Sequence, residues 1–260
     1  MTDKDKPTTR LATHTNEELY YRDQALVGEL MGNISFTAAM FTHIMGRTPS
    51  AGEITILDAV LVTLMEHGLT PSAISTRLTY HSAPEALQAA VAAGLLNVGS
   101  QFVGTMENAA LLLMQLLDDP AGFDEAARRA VQDLRAEKKP LPGFGHHLHK
   151  PDDPRSPKLF AIVLAQPGVS GKYITALKRL GEIVDEVLGR HLTINATGAV
   201  AAALLEIGVE PRIMRGFAVI SRAAGLVAHI REEQDVPTAR TIWDLVEHEI
   251  PYAGNGGKKS

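Results

Sequence analysis

The sequence predicts an all-α protein, and two observations carry that prediction. Apolar residues recur three and four positions apart in alanine- and leucine-rich segments, the spacing and composition that favour helices. Runs of valine, isoleucine and threonine with a period of two, which are typical of strands, are nearly absent. Because no heptad register is sustained and no internal repeat occurs, the pattern indicates a globular packing of helices and not a coiled coil.

The helices are predicted in chain order from this spacing. Apolar residues recur at helical spacing over residues 17–45, and the segment TPSAGEITILDAVLVTLMEHG then has the early proline and terminal glycine that mark helix ends. Six further helices are predicted from the segments SAPEALQAAVAAGLL, ENAALLLMQLLDD, GFDEAARRAVQDLRAEKK, KYITALKRLGEIVDEVLG, NATGAVAAALLEIG and GFAVISRAAGLVAHIREEQ. The breaks that hold the polar residues of interest are 68–71, 94–104, 140–157 and 191–198.

Composition excludes several classes of function. The chain has 260 residues, 45% of them hydrophobic and 21% charged, with a formal net charge of −5, so nothing draws it to nucleic acid or to an anionic membrane. There is no cysteine, which excludes disulfides, thiolate nucleophiles and cysteine-ligated metal sites. The N-terminal residues are polar and no long uninterrupted apolar run follows, so we expect a cytoplasmic protein with no membrane association.

The loop GFGHHLHKPDDPR, residues 143–155, concentrates the polar chemistry. A metal site is disfavoured, because HHLH lacks an acidic residue at helical zincin spacing. The alternative interpretation leaves His147 and His149 facing solvent, with His146 a packing residue. The glycines favour an active-site edge, since they allow the backbone to approach a ligand and to offer N–H groups to an anion. His146 then supplies an acid/base group and Arg155 a planar fork for a carboxylate.

This loop, extended to PGFGHHLHKPDDPR, resembles the signature of the citrate synthase superfamily, a glycine-aromatic-glycine-histidine followed by lysine and Asp-Pro-Arg. Three other segments resemble the family in the same order: LMEHGLTPSAISTRL, AAGLLNVGSQFVGTMENAA and SRAAGLVAHIREE. The short chain and the sequence GLLNVGSQFVG make it more similar to the citryl-CoA lyase modules of that superfamily.

The resemblance implies a citrate-synthase-like helical fold in one unit, residues 1–260. Its large lobe would comprise about residues 1–107 and 193–260, and its small lobe, which closes over the acyl-CoA, about residues 108–192.

The resemblance also assigns roles to individual residues. His146 protonates or polarises the keto oxygen, and His67 helps to bind the dicarboxylate. Arg155 and Arg222 grip the substrate carboxylates. Residues expected to bind coenzyme A are Pro142, Gly143, Gly145 and Lys150. The alternatives without a role in substrate binding are a helix-terminal histidine for His67 and a solvated helix residue for Arg222.

Two positions depart from the family pattern. Citrate synthases place a second catalytic histidine where this chain has Phe102, and the lyase modules have an apolar aromatic residue there. The family's catalytic aspartate, in its Asn-x-Asp segment, is replaced by Thr197, although Asn195 is retained and is expected to orient a thioester or carboxylate. A threonine hydroxyl titrates too high to abstract a proton unaided. Either Glu107 or Glu66 supplies the base, or the substrate does, or the reaction differs.

The function that the resemblance implies is cleavage of a citryl-CoA-like 3-hydroxyacyl-CoA to an acyl-CoA and a 2-oxo acid, such as acetyl-CoA and oxaloacetate. The alternatives are condensation in the reverse direction and a non-catalytic protein that binds CoA or carboxylates. Coenzyme A enters as part of the substrate and no metal is expected. We also expect at least a homodimer, and either a separate CoA ligase partner or a substrate already made as a thioester.

Overall fold

The structure, a computed structural model, describes residues 6–99, 105–146 and 148–254. Within these residues the fold is mainly helical, which confirms the predicted all-α class. The helices are α1 (Phe36–Met45), α2 (Ala51–Met65), α3 (Pro71–Ser82), α4 (Leu87–Leu95), α5 (Met106–Leu117), α6 (Phe123–Ala136), α7 (Arg155–Leu164), α8 (Lys172–Leu188), α9 (Ala196–Glu206), α10 (Pro211–Asp235) and α11 (Ala239–Glu249).

The N-terminal segment is where the predicted helix over residues 17–45 is wrong. Three short antiparallel strands, β1 (Ala12–His14), β2 (Leu19–Tyr21) and β3 (Gln24–Ala25), are followed by a π-helical turn at Leu26–Leu30, and only the end of the segment forms α1. Arg22 and Asp23 have φ angles of 45° and 69° and reverse the chain between β2 and β3. Left-handed residues of this kind end a helix, so helical apolar spacing alone misleads here.

Helix α2 forms where its termini predict it. Ser50 Oγ accepts a hydrogen bond from the Glu53 N–H (3.2 Å), while Glu53 Oε2 accepts one from the Ser50 N–H (2.8 Å). This capping box satisfies two N–H groups at the helix start. The helix ends at Met65, which places Glu66 and His67 directly beyond it.

Three helices, α3, α7 and α11, were not predicted. The predicted loop over residues 140–157 extends too far, because α7 already begins at Arg155. Pro157 made a helix start here look unfavourable. Proline is nevertheless tolerated in a first helical turn, where the N–H groups have no helical partner. Pro71 likewise lies at the first position of α3. Arg155 is therefore held on a helix N-terminus and not on a flexible loop.

Helix α9 lies at the centre of the hydrophobic core. Its alanines and glycine allow α5, α7 and α8 to pack closely around it, and residues 198–205 are all buried. The core is one continuous cluster that includes residues from both predicted lobes, such as Leu57, Leu113 and Leu177. The division into two lobes stays a prediction.

Helix α10 is long and apolar enough to cross a membrane by length and composition alone. Half of its most apolar window is buried inside the fold, and its buried residues include Arg222, His229 and Glu233. A helix buried among others is typical of the core of a soluble protein.

Candidate active site

The glycine-histidine loop is fixed to the start of α9 by its backbone. Gly143 O accepts a hydrogen bond from the Asn195 N–H at 3.0 Å, and the Gly145 N–H donates to Thr193 O at 2.7 Å. Gly143 and Gly145 have φ angles of 84° and 79°, which favour glycine. A Cβ added to Gly198 would lie 2.5 Å from Gly143 O, so the two backbones approach as closely as two glycines permit.

Asn195 and Thr197 are held by other protein groups. Asn195 Oδ1 caps α9 by accepting from the Gly198 N–H (3.1 Å), and its Nδ2 donates to Gly145 O (2.9 Å). The Thr197 hydroxyl donates to Asn195 Oδ1 (2.7 Å) and accepts from the Thr105 hydroxyl (2.8 Å). Asn195 therefore ties the loop to the helix, and its role towards a substrate stays a prediction. The Thr197 proton is directed at a protein oxygen.

Arg155 is oriented by a buried carboxylate. Asp153 Oδ1 accepts from Arg155 Nε (2.9 Å), and Asp153 Oδ2 accepts from Arg155 Nη2 (2.7 Å) and from the Ala196 N–H (3.0 Å). Burial opposes ionisation of Asp153, but these hydrogen bonds outweigh it and lower the pKa of its carboxyl below the ordinary value. The Arg155 side chain remains 26% exposed, so the guanidinium is partly accessible while its orientation is fixed.

His146 has a defined tautomer in its neutral form. Its Nδ1 accepts hydrogen bonds from the Leu148 N–H (3.1 Å) and the His149 N–H (3.0 Å). The neutral ring then carries its hydrogen on Nε2. Nε2 lies 3.4 Å from Arg155 Nη2, which brings the predicted acid and the predicted carboxylate clamp together.

Three histidines, His67, His146 and His149, form what we call the three-histidine cluster. One ring nitrogen of each lies within 4.8 Å of the others, and all three residues are half-buried. The ring centroids of His146 and His149 are 4.4 Å apart, and those of His67 and His146 are 5.6 Å apart. The alternative in which His149 faces solvent is therefore wrong. The sequence could have indicated this contact, because His149 follows His146 by three residues, which is close enough for one turn of the chain to bring the two rings together.

The spacing within the three-histidine cluster would also suit a metal ion. A metal needs a ring nitrogen with an available lone pair. The neutral tautomer of His146 has its hydrogen on Nε2 and its Nδ1 lone pair directed at two backbone N–H groups. This arrangement fits a hydrogen-bonded oxygen atom better than a metal, and the absence of a metal stays a prediction.

Arg222 is a buried cation next to this cluster. It is 4% exposed, and within the described residues its Nε and Nη1 have no hydrogen-bond partner. Burial lowers the pKa of Arg222, while the charge of Glu66 raises it. A buried guanidinium is costly unless it is paired, so these two N–H groups suit a carboxylate brought by a ligand. The alternative of a solvated helix residue is wrong.

His67 follows α2 and is positioned by Glu66. Glu66 Oε1 accepts from the His67 N–H (2.7 Å) and the Gly68 N–H (2.6 Å), and its Oε2 lies 2.9 Å from His229 Nε2. Burial lowers the pKa of His67, and the charge of Arg155 lowers it further, followed by those of His149 and Arg222. These effects favour the neutral form of His67.

Both acids considered as a replacement base contact other protein groups, and whether either acts as the base stays open. Both carboxylate oxygens of Glu66 face backbone N–H groups or His229. Glu107, in the first turn of α5, pairs with Arg215 at 3.4 Å. The pairings with His229 and Arg215 could not be foreseen from the sequence, since they join distant segments.

The residues predicted to bind coenzyme A lie around the same loop. Pro142 is half-buried, Gly143 is buried, Gly145 is half-buried and Lys150 is exposed. Their role towards coenzyme A stays a prediction. Phe102 lies outside the described residues. A groove of about 490 Å³ lies between α2 and α7, and its mainly apolar lining includes the charged residues Asp58, Arg155 and Lys158.

Comparison with known proteins decides the family. Residues 10–242 match the model of the citrate synthase C-terminal domain. The chain belongs to the citrate synthase family. The citryl-CoA lyase of Hydrogenobacter thermophilus superposes with a TM-score of 0.84 at 30% identity, over 97% of this chain and 96% of that one. This similarity covers both proteins almost completely and places the chain among enzymes of the family.

Two larger proteins contain a part similar to this chain. The ATP citrate lyase of Methanothrix soehngenii, solved in complex with citrate and coenzyme A, superposes with a TM-score of 0.79 at 18% identity, over 97% of this chain and 43% of its own. The probable ATP-citrate synthase subunit 1 of Neurospora crassa is 24% identical over 75% of this chain. The chain spans 31% of the length of that relative.

Proposed function

We propose that this protein is a carbon-carbon lyase that cleaves a citryl-CoA-like 3-hydroxyacyl-CoA to an acyl-CoA and a 2-oxo acid, with acetyl-CoA and oxaloacetate as the first candidates. The observation that carries the proposal is the convergence of Arg155, Arg222 and the three-histidine cluster from three separate segments of the chain. Two oriented guanidinium groups suit a dicarboxylate, and imidazoles beside them suit the oxygen on the carbon that is cleaved.

The chemistry of such a cleavage matches these groups. The bond between the carbon that bears the hydroxyl and the carbon next to the thioester breaks, and the hydroxyl becomes a carbonyl. His146, which donates from Nε2, stabilises negative charge that develops on that oxygen. Arg155 and Arg222 fix the carboxylates, so that the bond to be broken keeps one orientation. No nucleophile is required.

The experiment is a turnover assay on a panel of 3-hydroxyacyl-CoA thioesters that includes (3S)-citryl-CoA, with products identified by mass spectrometry. We expect release of a shorter acyl-CoA and a 2-oxo acid, and a loss of turnover in Arg155→Ala. Product formation only from an acyl-CoA plus a 2-oxo acid would instead support condensation. CoA binding without turnover of any thioester would support a binding protein, the alternative that the hydrogen-bonded Thr197 hydroxyl favours.

Assembly, location and partners are part of the proposal. Large apolar side chains are exposed on several helices, among them Phe36 on α1 (75%) and Trp243 on α11 (47%), as expected for a helical protein that forms a homodimer. We expect a dimeric mass by light scattering, a cytoplasmic location, and a separate CoA ligase wherever the thioester is not supplied by other reactions.

A further inference from the structure

The candidate site contains three imidazoles, and a threonine stands at the position of the family's aspartate. Thr197 stands at the position of the aspartate, and its hydroxyl proton is donated to Asn195 Oδ1. Glu66 and Glu107 are held by His229 and Arg215. The three-histidine cluster offers another acceptor for the proton of a substrate hydroxyl.

Two of the three histidines are poor acceptors. His146 is a donor at Nε2 in its neutral form, because its Nδ1 accepts two backbone N–H groups. His67 is a weak base, because its pKa is lowered first by burial and then by the charges of Arg155, His149 and Arg222. His149 is the remaining ring. Its centroid lies 4.4 Å from that of the His146 ring and 5.8 Å from that of the His67 ring, with the His67 and His149 rings edge to face.

The three-histidine cluster has the dimensions of a site for one oxygen atom. Its three nitrogens lie within 4.8 Å of one another. An oxygen placed between nitrogens at this spacing can lie within about 2.8 Å of each, which is hydrogen-bond distance. Such an oxygen would also lie beside the guanidinium of Arg155.

We propose that the three-histidine cluster holds the hydroxyl oxygen of a 3-hydroxyacyl-CoA and that His149 accepts the hydroxyl proton. This inference rests on the proposed function. As the proton moves to a ring nitrogen of His149, the oxygen forms the new carbonyl and the carbon-carbon bond breaks. The electron pair of that bond passes into the thioester enolate. The enolate carbon then takes a proton from the His149 imidazolium, so the ring returns to its neutral form and no co-reactant is consumed.

The kinetic test uses the thioester that the wild-type protein cleaves. His149→Ala should lower kcat by about 10²-fold or more while KM changes little, because the ring moves a proton and binds no carboxylate. Added imidazole should restore part of this loss. Leu148→Ala is the matched control: it lies on the same loop, is 65% exposed and keeps its backbone N–H to His146. Wild-type turnover in His149→Ala would overturn the assignment and leave the lyase function standing.

A binding test separates this inference from the lyase function. The protein is labelled with ¹⁵N-histidine, and the NMR signals of the His149 ring nitrogens are assigned from their absence in His149→Gln. Saturation with citrate, a probe with a tertiary hydroxyl, should shift these signals. Saturation without any change at His149 would overturn the proposal even if no thioester is cleaved. So would turnover that requires added Zn²⁺ and is lost with a chelator, because the ring would then be a metal ligand.

Discussion

Asp153 and Arg155 form a bidentate ion pair across one residue, with distances of 2.9 Å from Nε to Oδ1 and 2.7 Å from Nη2 to Oδ2. The same carboxylate accepts the Ala196 N–H at the start of α9. Asp153 thereby connects the start of α7, which carries Arg155, to the start of α9, which carries Thr197. This connection joins residues 43 positions apart in the chain.

Asp153→Asn should both destabilise the protein and misplace Arg155. Removing one partner of a partly buried ion pair leaves the other charge unbalanced, so we expect the free energy of unfolding to fall by about 1–3 kcal/mol. Denaturant unfolding measures this loss, and calorimetry should show weaker citrate binding. Asp152→Asn is the control on the adjacent residue, whose side chain is 67% exposed. Equal effects of the two variants would contradict the role of Asp153.

Gly198→Ala tests the contact between the loop and α9. Alanine ordinarily stabilises a helix relative to glycine by about 1 kcal/mol. At Gly198 the added Cβ would lie 2.5 Å from Gly143 O, so the helix or the loop must shift. We expect a loss of about 1–3 kcal/mol, the usual effect of overpacking. Gly216→Ala in α10, where the nearest atom is 3.7 Å away, should raise the Tm slightly. A higher Tm in both variants would disprove the close contact.

The sequence predicted most helices and, through the resemblance, most residues of the candidate site, whose roles stay predictions. His67 and Arg222 could not be placed by spacing alone, because α2 and α10 are far apart in the chain. The start of α7 was missed because prolines surround Arg155. The strands before α1 were missed because the spacing of apolar residues does not reveal the left-handed turn at Arg22. The role of His149 depends on how one turn of loop folds back on His146, which residue type alone does not encode.

His191 gives the protein a pH-dependent contact between the loop and α8. Its ring nitrogens lie 2.6 Å from Asp185 Oδ2 and 3.0 Å from Asp152 Oδ1. Hydrogen bonding to Asp185, and then to Asp152, raises the pKa of His191 above its ordinary value. Because the folded state favours the protonated ring, this contribution is fully present below the unfolded pKa of about 6.5 and is lost as pH rises through the higher folded value.

The difference in Tm between wild type and His191→Gln should therefore be largest near pH 5–6 and should shrink towards pH 9. The effect should be small, because the His191 side chain is 49% exposed and solvent screens the pair. Thermal unfolding across this pH range measures it, and added salt should reduce it. A difference that is constant with pH would show that the protonated ring contributes nothing.

Arg222→Met should weaken ligand binding without weakening the fold. The guanidinium is 4% exposed with two nitrogens lacking a partner among the described residues, so an apolar side chain of similar length removes a buried charge. We expect the free energy of unfolding to stay the same or rise, and citrate affinity to fall about 10- to 100-fold, as for a lost charge-assisted hydrogen bond. Arg212→Met, on the exposed face of α10, should change neither. Loss of stability with unchanged affinity would make Arg222 structural.

Thr197→Asp restores the carboxylate of the family pattern. The variant should fold, because position 197 lies in the first turn of α9, where a negative charge is stabilised by the helix dipole. It breaks the hydrogen bond from Thr197 to Asn195 and places a carboxylate at the start of α9. We expect turnover of the native thioester to fall. If the pocket accepts acetyl-CoA and oxaloacetate, deuterium exchange into the acetyl methyl group should exceed that of the uncharged control, Thr197→Asn. Mass spectrometry measures both rates. Native turnover unchanged in Thr197→Asp, Thr197→Asn and Thr197→Ala would show that this position takes no part in the chemistry, and that its replacement did not change the base.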